Sequence, residues 1–113
     1  MATELKFCGM RREADILAAN ACLPDYIGFV FAAGARRAVT PETARELLAK
    51  ADPRILAVGV FADQDPAYIA ELAARVPLDV IQLHGSESET TVEEIRRRTG
   101  KTVWRAFQIT APA

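Results

Sequence analysis

The sequence predicts an α/β fold in which parallel strands alternate with helices, and three observations carry that reading. Segments rich in apolar, β-branched and aromatic residues begin at Leu5, Tyr26, Ile55, Asp79 and Thr102, roughly 21 to 29 residues apart, the length of one βα unit. Between them lie stretches of about ten residues with apolar positions at helical spacing. Helix-start signals stand ahead of three of these stretches: Thr40-Pro41, Asp65-Pro66 and Thr90 with Glu93. A helix inserted between strands lets successive strands run parallel, joined by right-handed crossovers.

Taken in order, Leu5-Lys6-Phe7-Cys8 reads as the first strand. Residues 12–20 read as a helix whose apolar positions are Ala14, Ile16, Leu17 and Ala18. Residues 26–31 are a second strand, aromatic and β-branched in character. Thr40 is expected to cap the second helix, with Pro41 at the first helical position, where no N–H is needed. Ala44, Leu47 and Leu48 are its apolar positions. Residues 55–61 form the third strand, and Asp65-Pro66 repeats the cap-plus-proline start of a helix running to Arg75. Residues 79–83 are the fourth strand. Thr90 and Glu93 have the spacing of a capping box, and Gly100 ends that helix. Arg96, Arg97 and Arg98 fall late in it, where cations complement the helix dipole. Residues 102–108 are the fifth strand, and no helix is expected over the tail from Thr110 to Ala113.

This alternation leaves two architectures, a doubly wound open sheet or a stretch of (β/α)8 barrel. A complete barrel needs eight units and at least about 200 residues. The chain has 113 residues and is expected to form one domain over residues 1–113, with four βα units and a fifth strand.

Composition narrows the function. Half the residues are hydrophobic and the formal net charge is −1, which gives no electrostatic footprint for nucleic acid or an anionic membrane. The two cysteines, Cys8 and Cys22, form no C-x-x-C pair, and with one histidine in the chain a structural zinc site is not expected. No apolar run approaches the roughly 20 residues of a transmembrane helix, and no signal peptide is recognised ahead of the first strand. The expected compartment is the cytoplasm, and the expected partner is a small molecule.

In either architecture ligands bind at the carboxyl ends of parallel strands. Those ends read Cys8-Gly9, the run from Phe31 through Arg36 and Arg37, Phe61-Ala62-Asp63, and Gln82-Leu83-His84-Gly85. Side chains alternate faces along a strand, so Lys6 shares a side with Cys8, and Gln82 with His84. The apolar residues between them belong against the helices. Two strands thus aim reactive polar groups at one face. Asp63 and Asp65 suit a turn and a helix cap.

At these positions the chain resembles the phosphoribosylanthranilate isomerases. The likeness rests on Lys6-Phe7-Cys8-Gly9, Gly28-Phe29-Val30-Phe31, Arg37 with Val39 and Pro41, Val58-Gly59-Val60-Phe61, Gln82-Leu83-His84-Gly85 and Trp104-Arg105-Ala106, in the family's order. Arg11 stands where the family often has threonine, and Gly34-Ala35 where it often has serine. The resemblance implies a TIM barrel, of which this chain would supply the first four βα units and the fifth strand, incomplete. It implies an Amadori rearrangement of N-(5-phosphoribosyl)anthranilate in tryptophan biosynthesis, with no cofactor or metal. It assigns the general base to Cys8 and the grip on the anthranilate carboxylate to Arg37, whose planar fork suits a bidentate contact. Gln82 and His84 are expected to contact substrate, and Lys6 to favour the thiolate. The family's general acid, an aspartate on a sixth strand, and its phosphate loops lie beyond the five strands, so the chain alone is expected to be inactive. An unclosed barrel leaves strands 1 and 5 as edges, which favours self-association, pairing with a C-terminal segment, or relaxation to an open sandwich. The alternative from another functional class is a non-catalytic open-sheet module of flavodoxin type. No glycine-rich phosphate loop follows the first strand to support it.

Overall fold

The computed structural model describes residues 4–32 and 34–105. Nine elements alternate along it: β1 (Lys6–Cys8), α1 (Glu13–Cys22), β2 (Tyr26–Val30), α2 (Pro41–Leu48), β3 (Leu56–Phe61), α3 (Pro66–Arg75), β4 (Val80–Leu83), α4 (Glu89–Thr99) and β5 (Thr102–Arg105). All neighbouring strands pair in parallel, in the order β1-β2-β3-β4-β5. That order decides between the two architectures. A doubly wound sheet reverses direction at a switch point, whereas here every crossover advances one strand the same way, as in a barrel.

The sheet is also strongly curved. Lys6 is in register with Tyr26, which is in register with Leu56, while Gln82 pairs with Val60. On a flat sheet Lys6 and Gln82 would stand about 20 Å apart, from strand spacings of about 4.8 Å and a rise of about 3.3 Å per residue. Two extended side chains do not span that gap. Yet Lys6 Nζ donates to Gln82 Oε1 at 2.6 Å, so β1 and β4 lean toward each other over a concave inner face.

Two apolar layers follow from strand alternation. On the outer face Ile27, Phe29, Ala57, Phe61, Ile81 and Leu83 pack against helix residues such as Ile16, Leu47, Ile69 and Ile95. On the inner face Val58, Val60 and Val80 form a smaller cluster with Tyr26, Val30 and Trp104. Strands covered on both faces read as nearly continuous apolar runs, which is why β3 has the sequence LAVGVF.

Helix caps match the sequence reading at three ends. Thr40 accepts from Thr43 N, Asp65 accepts from Ala67 N, and Gly100 closes α4 in the left-handed conformation. The start of α4 corrects it: Ser88, not Thr90, is the N-cap, its hydroxyl accepting from Thr91 N at 3.2 Å. Glu93, expected in the capping box, pairs with Arg96 instead. At α1, Asp15 reaches back to accept from the N–H groups of Arg11 and Arg12, at 2.9 and 3.1 Å. The Arg11 N–H bond holds the Asp15 carboxyl below its ordinary range.

A second correction concerns the buried face of α1. Ile16 and Ala19 are buried, but Leu17 is 58% exposed, and Ala14 and Ala18 are exposed too. Helix α1 covers the end of the sheet and packs against α2 on one side, so a narrow stripe of it is covered. Of the expected fifth strand, Thr102–Arg105 is present; residues 106–108 and the tail lie outside the described residues. No helix of the described residues is long and apolar enough to cross a membrane.

Candidate functional site at the carboxyl ends of the strands

The site begins at the end of β1. Cys8 is a free, exposed thiol on the inner face, in register with Gly28. A Cβ at Gly28 would stand 3.1 Å from Cys8 Sγ, so the bare glycine leaves the sulfur its room. After Cys8 the backbone turns through Gly9, whose φ is +84°. The N–H groups of Gly9 and Met10 both donate to Gly28 O at 3.0 Å, which pins the turn to β2.

Arg37 arrives from the loop after β2. Ala38 N donates to Ala35 O at 3.2 Å, and Val39 N returns to Val30 O at 2.9 Å. A single parallel bridge joins Val30 to Ala38. This folds the loop back over the strand ends and lays Arg37 across Gly9. A Cβ at Gly9 would stand 2.7 Å from Arg37 Cδ and 3.1 Å from Nη1. Two expected site residues, Cys8 and Arg37, are therefore brought to one strand end. Arg11, from the turn before α1, donates to Arg36 O at 3.4 Å and ties the same two loops together.

Gln82 sits deeper on the inner face, between Val60 and Trp104 in register. The parity that joined it to the Lys6 side is observed directly in the 2.6 Å bond between them. Lys6 is thus engaged with Gln82, and the cation packed on the Cys8-Gly9 strand end is Arg37. Tyr26 meets Trp104 edge to face, with ring centroids 4.8 Å apart. A hydrogen bond to the Glu4 carboxylate raises the Tyr26 phenol above its ordinary range. A cavity of about 380 Å³ lined by these residues, with Leu5 and Arg105, lies below the rim. In closed barrels such interior space is filled by side chains from the other strands, so the cavity is interior and the rim is the candidate site.

His84 follows β4 directly. Its N–H donates to Phe61 O at 2.8 Å, which continues the ladder and keeps His84 in phase with Gln82. It is exposed at the rim. Among the described residues no hydrogen bond joins it to Cys8 or Arg37. Asp65 serves as the cap that sequence suggested, but Asp63 does more than turn the chain. Its carboxylate accepts from Ser86 N at 2.7 Å, and its own N–H donates to Glu87. Glu87, which the sequence reading passed over, is a buried carboxylate between the loops. The signal available was a glutamate two residues past the strand-end glycine and just ahead of a helix cap.

The family model described as N-(5'phosphoribosyl)anthranilate (PRA) isomerase matches residues 5–112. An N-(5'-phosphoribosyl)anthranilate isomerase of Paracoccus denitrificans is 42% identical over 112 residues, covering 99% of this chain and 52% of the relative. One from Clostridium acetobutylicum is 42% identical over 108 residues, covering 96% and 51%. The crystal structure of the Thermus thermophilus enzyme superposes with a TM-score of 0.90 at 38% identity, covering 98% of this chain and 55% of that one. A phosphoribosyl anthranilate isomerase in complex with reduced 1-(o-carboxyphenylamino)-1-deoxyribulose 5-phosphate superposes at 0.86 with 32% identity, covering 92% and 53%. The chain spans about half the length of the relatives it matches.

Proposed function

The chain belongs to the N-(5'-phosphoribosyl)anthranilate isomerase family, and from that premise we propose that it supplies the base-bearing half of that enzyme's site. The reaction is an Amadori rearrangement of N-(5-phosphoribosyl)anthranilate to the 1-deoxyribulose 5-phosphate product, a step of tryptophan biosynthesis in the cytoplasm. Residues 1–113 act as the N-terminal half of a (β/α)8 barrel.

Protonation of the ribose ring oxygen opens the sugar to a Schiff base, which acidifies the hydrogen on the neighbouring carbon. Cys8 removes that proton as general base, and tautomerisation of the enolamine gives the ketone. The ring C–O bond opens and protons are exchanged with no net oxidation or reduction of the substrate, so no redox cofactor is needed, and the resemblance implies no metal. Arg37 holds the anthranilate carboxylate through a bidentate pair, and Gln82 and His84 contact the substrate from β4. The resemblance places the acid, an aspartate, on a further strand; of this chain's own carboxylates at the strand-end loops, Asp63 and Glu87 are engaged with backbone N–H groups. The edges of β1 and β5 pair with those further βα units in preference to a second copy, which light scattering of the chain with and without them distinguishes.

The observation that carries this reading is Arg37 lying across Gly9, the residue that follows Cys8. Its test joins the chain to the C-terminal segment of the Paracoccus denitrificans relative and measures turnover of N-(5-phosphoribosyl)anthranilate. Turnover is expected in the joined enzyme and absent from the 113-residue chain alone. Cys8→Ser is expected to lower kcat by about 10²–10⁴-fold, the usual contribution of a general base. Undiminished turnover in Cys8→Ser removes the thiol from the mechanism. Binding without turnover in the joined enzyme returns the chain to the class of binding modules.

A further inference from the structure

Apolar burial does not set the shape of the loop that follows His84; a carboxylate does. Glu87 is 5% exposed. Its Oε2 accepts from Asp63 N at 2.6 Å and its Oε1 from Gly85 N at 3.0 Å. The contact is returned across the loops, for Asp63 Oδ1 accepts from Ser86 N at 2.7 Å. Each loop therefore offers a carboxylate to the backbone of the other.

The local backbone is built for this clasp. Asp63 has φ 53°, a left-handed conformation that aspartate tolerates better than most residues. A Cβ at Gly85 would stand 2.6 to 2.7 Å from three atoms of the Asp63 carboxyl group, so the residue after His84 has to be glycine for the loops to close. Two more bonds carry the lacing outward. Gln64 Nε2 donates to Phe31 O at 3.0 Å, toward β2, and Arg105 Nη2 donates to Glu87 O, toward β5. Burying an ionised carboxylate is costly unless its oxygens are satisfied. Here both are satisfied, and one of the groups that satisfies them, the Gly85 N–H, belongs to the residue directly after His84 on the rim.

We propose that Glu87 is a positioning residue which, through Gly85 and Asp63, fixes the backbone beside His84 and so aims the imidazole into the site. The inference deepens the proposed function and rests on it for the contact between His84 and substrate.

The test uses the fact that the chain has one histidine, so the His84 ring gives one Cε1–H signal in proton NMR. The variants are Glu87→Gln, which turns one acceptor into a donor, and Asp63→Gly, which keeps the left-handed turn and removes the carboxylate. Asp79→Asn is the control: Asp79 Oδ2 accepts from Ala57 N at 2.8 Å at the opposite ends of the strands. In Glu87→Gln the amide exchange of Gly85 and Asp63 is expected to rise about 10- to 100-fold, the worth of a charge-assisted hydrogen bond. The His84 signal is expected to shift or split. Asp63→Gly is expected to free Ser86 N and move the same ring signal, and it carries the test if Glu87→Gln does not fold. Asp79→Asn is expected to leave the ring signal in place. An unmoved His84 signal in folded Glu87→Gln, or an equal displacement in Asp79→Asn, overturns the proposal. In the joined enzyme, Glu87→Gln is expected to raise KM, and to have no further effect on KM once His84 is alanine. If His84→Ala leaves KM unchanged while the exchange and ring signals behave as expected, the substrate role of His84 falls and the clasp stands.

Discussion

Gly9→Ala separates the backbone requirement of the β1 turn from the placement of Arg37. Gly9 sits at φ +84°, where a Cβ meets the chain's own carbonyl at a cost of about 1–2 kcal/mol. The new methyl would also stand 2.7 Å from Arg37 Cδ, closer than packed atoms come. Arg37 is exposed and its side chain can swing clear, so the clash adds little to the stability loss. Urea unfolding of the 113-residue chain should therefore show a loss of about 1–2 kcal/mol, with an unchanged m-value. The functional cost is different in kind, because the guanidinium leaves the Cys8-Gly9 strand end. A charge-assisted contact to a carboxylate is worth about 1.5–3 kcal/mol, so KM of the joined enzyme should rise roughly 10- to 150-fold. A cycle with Arg37→Ala isolates the two effects. In the Arg37→Ala background Gly9→Ala should cost the same stability and have no effect on KM. A KM increase that persists there, or an unaltered stability in Gly9→Ala, would refute the reasoning.

Three further outcomes follow from the fold. Ile16→Ala removes a fully buried side chain and should cost about 2–5 kcal/mol in denaturant unfolding, whereas Leu17→Ala next to it should stay within about 0.5 kcal/mol. Ser88→Ala removes the cap of α4 and should cost about 0.5–2 kcal/mol, while Thr90→Ala should leave the melting temperature where it is. The Asp52 carboxyl is held down to about 2, first by its side-chain hydrogen bond to Arg54. Its NMR titration midpoint should fall near that value and move up toward 3.8 in Arg54→Ala. Because the folded-state value is depressed, the associated stability is present above about pH 4 and is lost as pH falls toward 2.

The elements themselves were legible because buried parallel strands are continuous apolar runs and because proline and glycine mark the helix ends. Strand parity was legible as well: two-residue periodicity put Lys6 and Gln82 on one face, and the bond between them bears it out. Strand order was not. Alternation of strand and helix is common to both architectures, and the difference lies in pairings between segments 20 or more residues apart, on which local pattern is silent. The cap of α4 was misplaced by two residues for a related reason. Ser88 and Thr90 are both good caps, and the choice falls to Ser88 because Glu87 is held by the loop after β3. Nothing in the sequence around Asp63 announces that its carboxylate crosses to Ser86.

The two ends of the sheet are held by different physics. At the amino ends Asp25 accepts from Leu5 N and Asp79 from Ala57 N, each at 2.8 Å. Asn20 likewise bridges Lys50 O and Asp52 N. Each of these ties neighbouring segments where the apolar layers already fix the spacing, so their loss costs stability and little else. At the carboxyl ends the groups proposed for chemistry, Cys8, Arg37 and His84, are all exposed. Their geometry depends on glycines that leave room, at Gly9 and Gly85, and on carboxylate-to-backbone bonds between loops. Core substitutions such as Ile16→Ala should therefore change how much of the chain is folded without changing the site within the folded fraction. Substitutions in the loop lacing should change the site within the folded fraction, with a stability cost set by the hydrogen bonds they remove rather than by apolar surface.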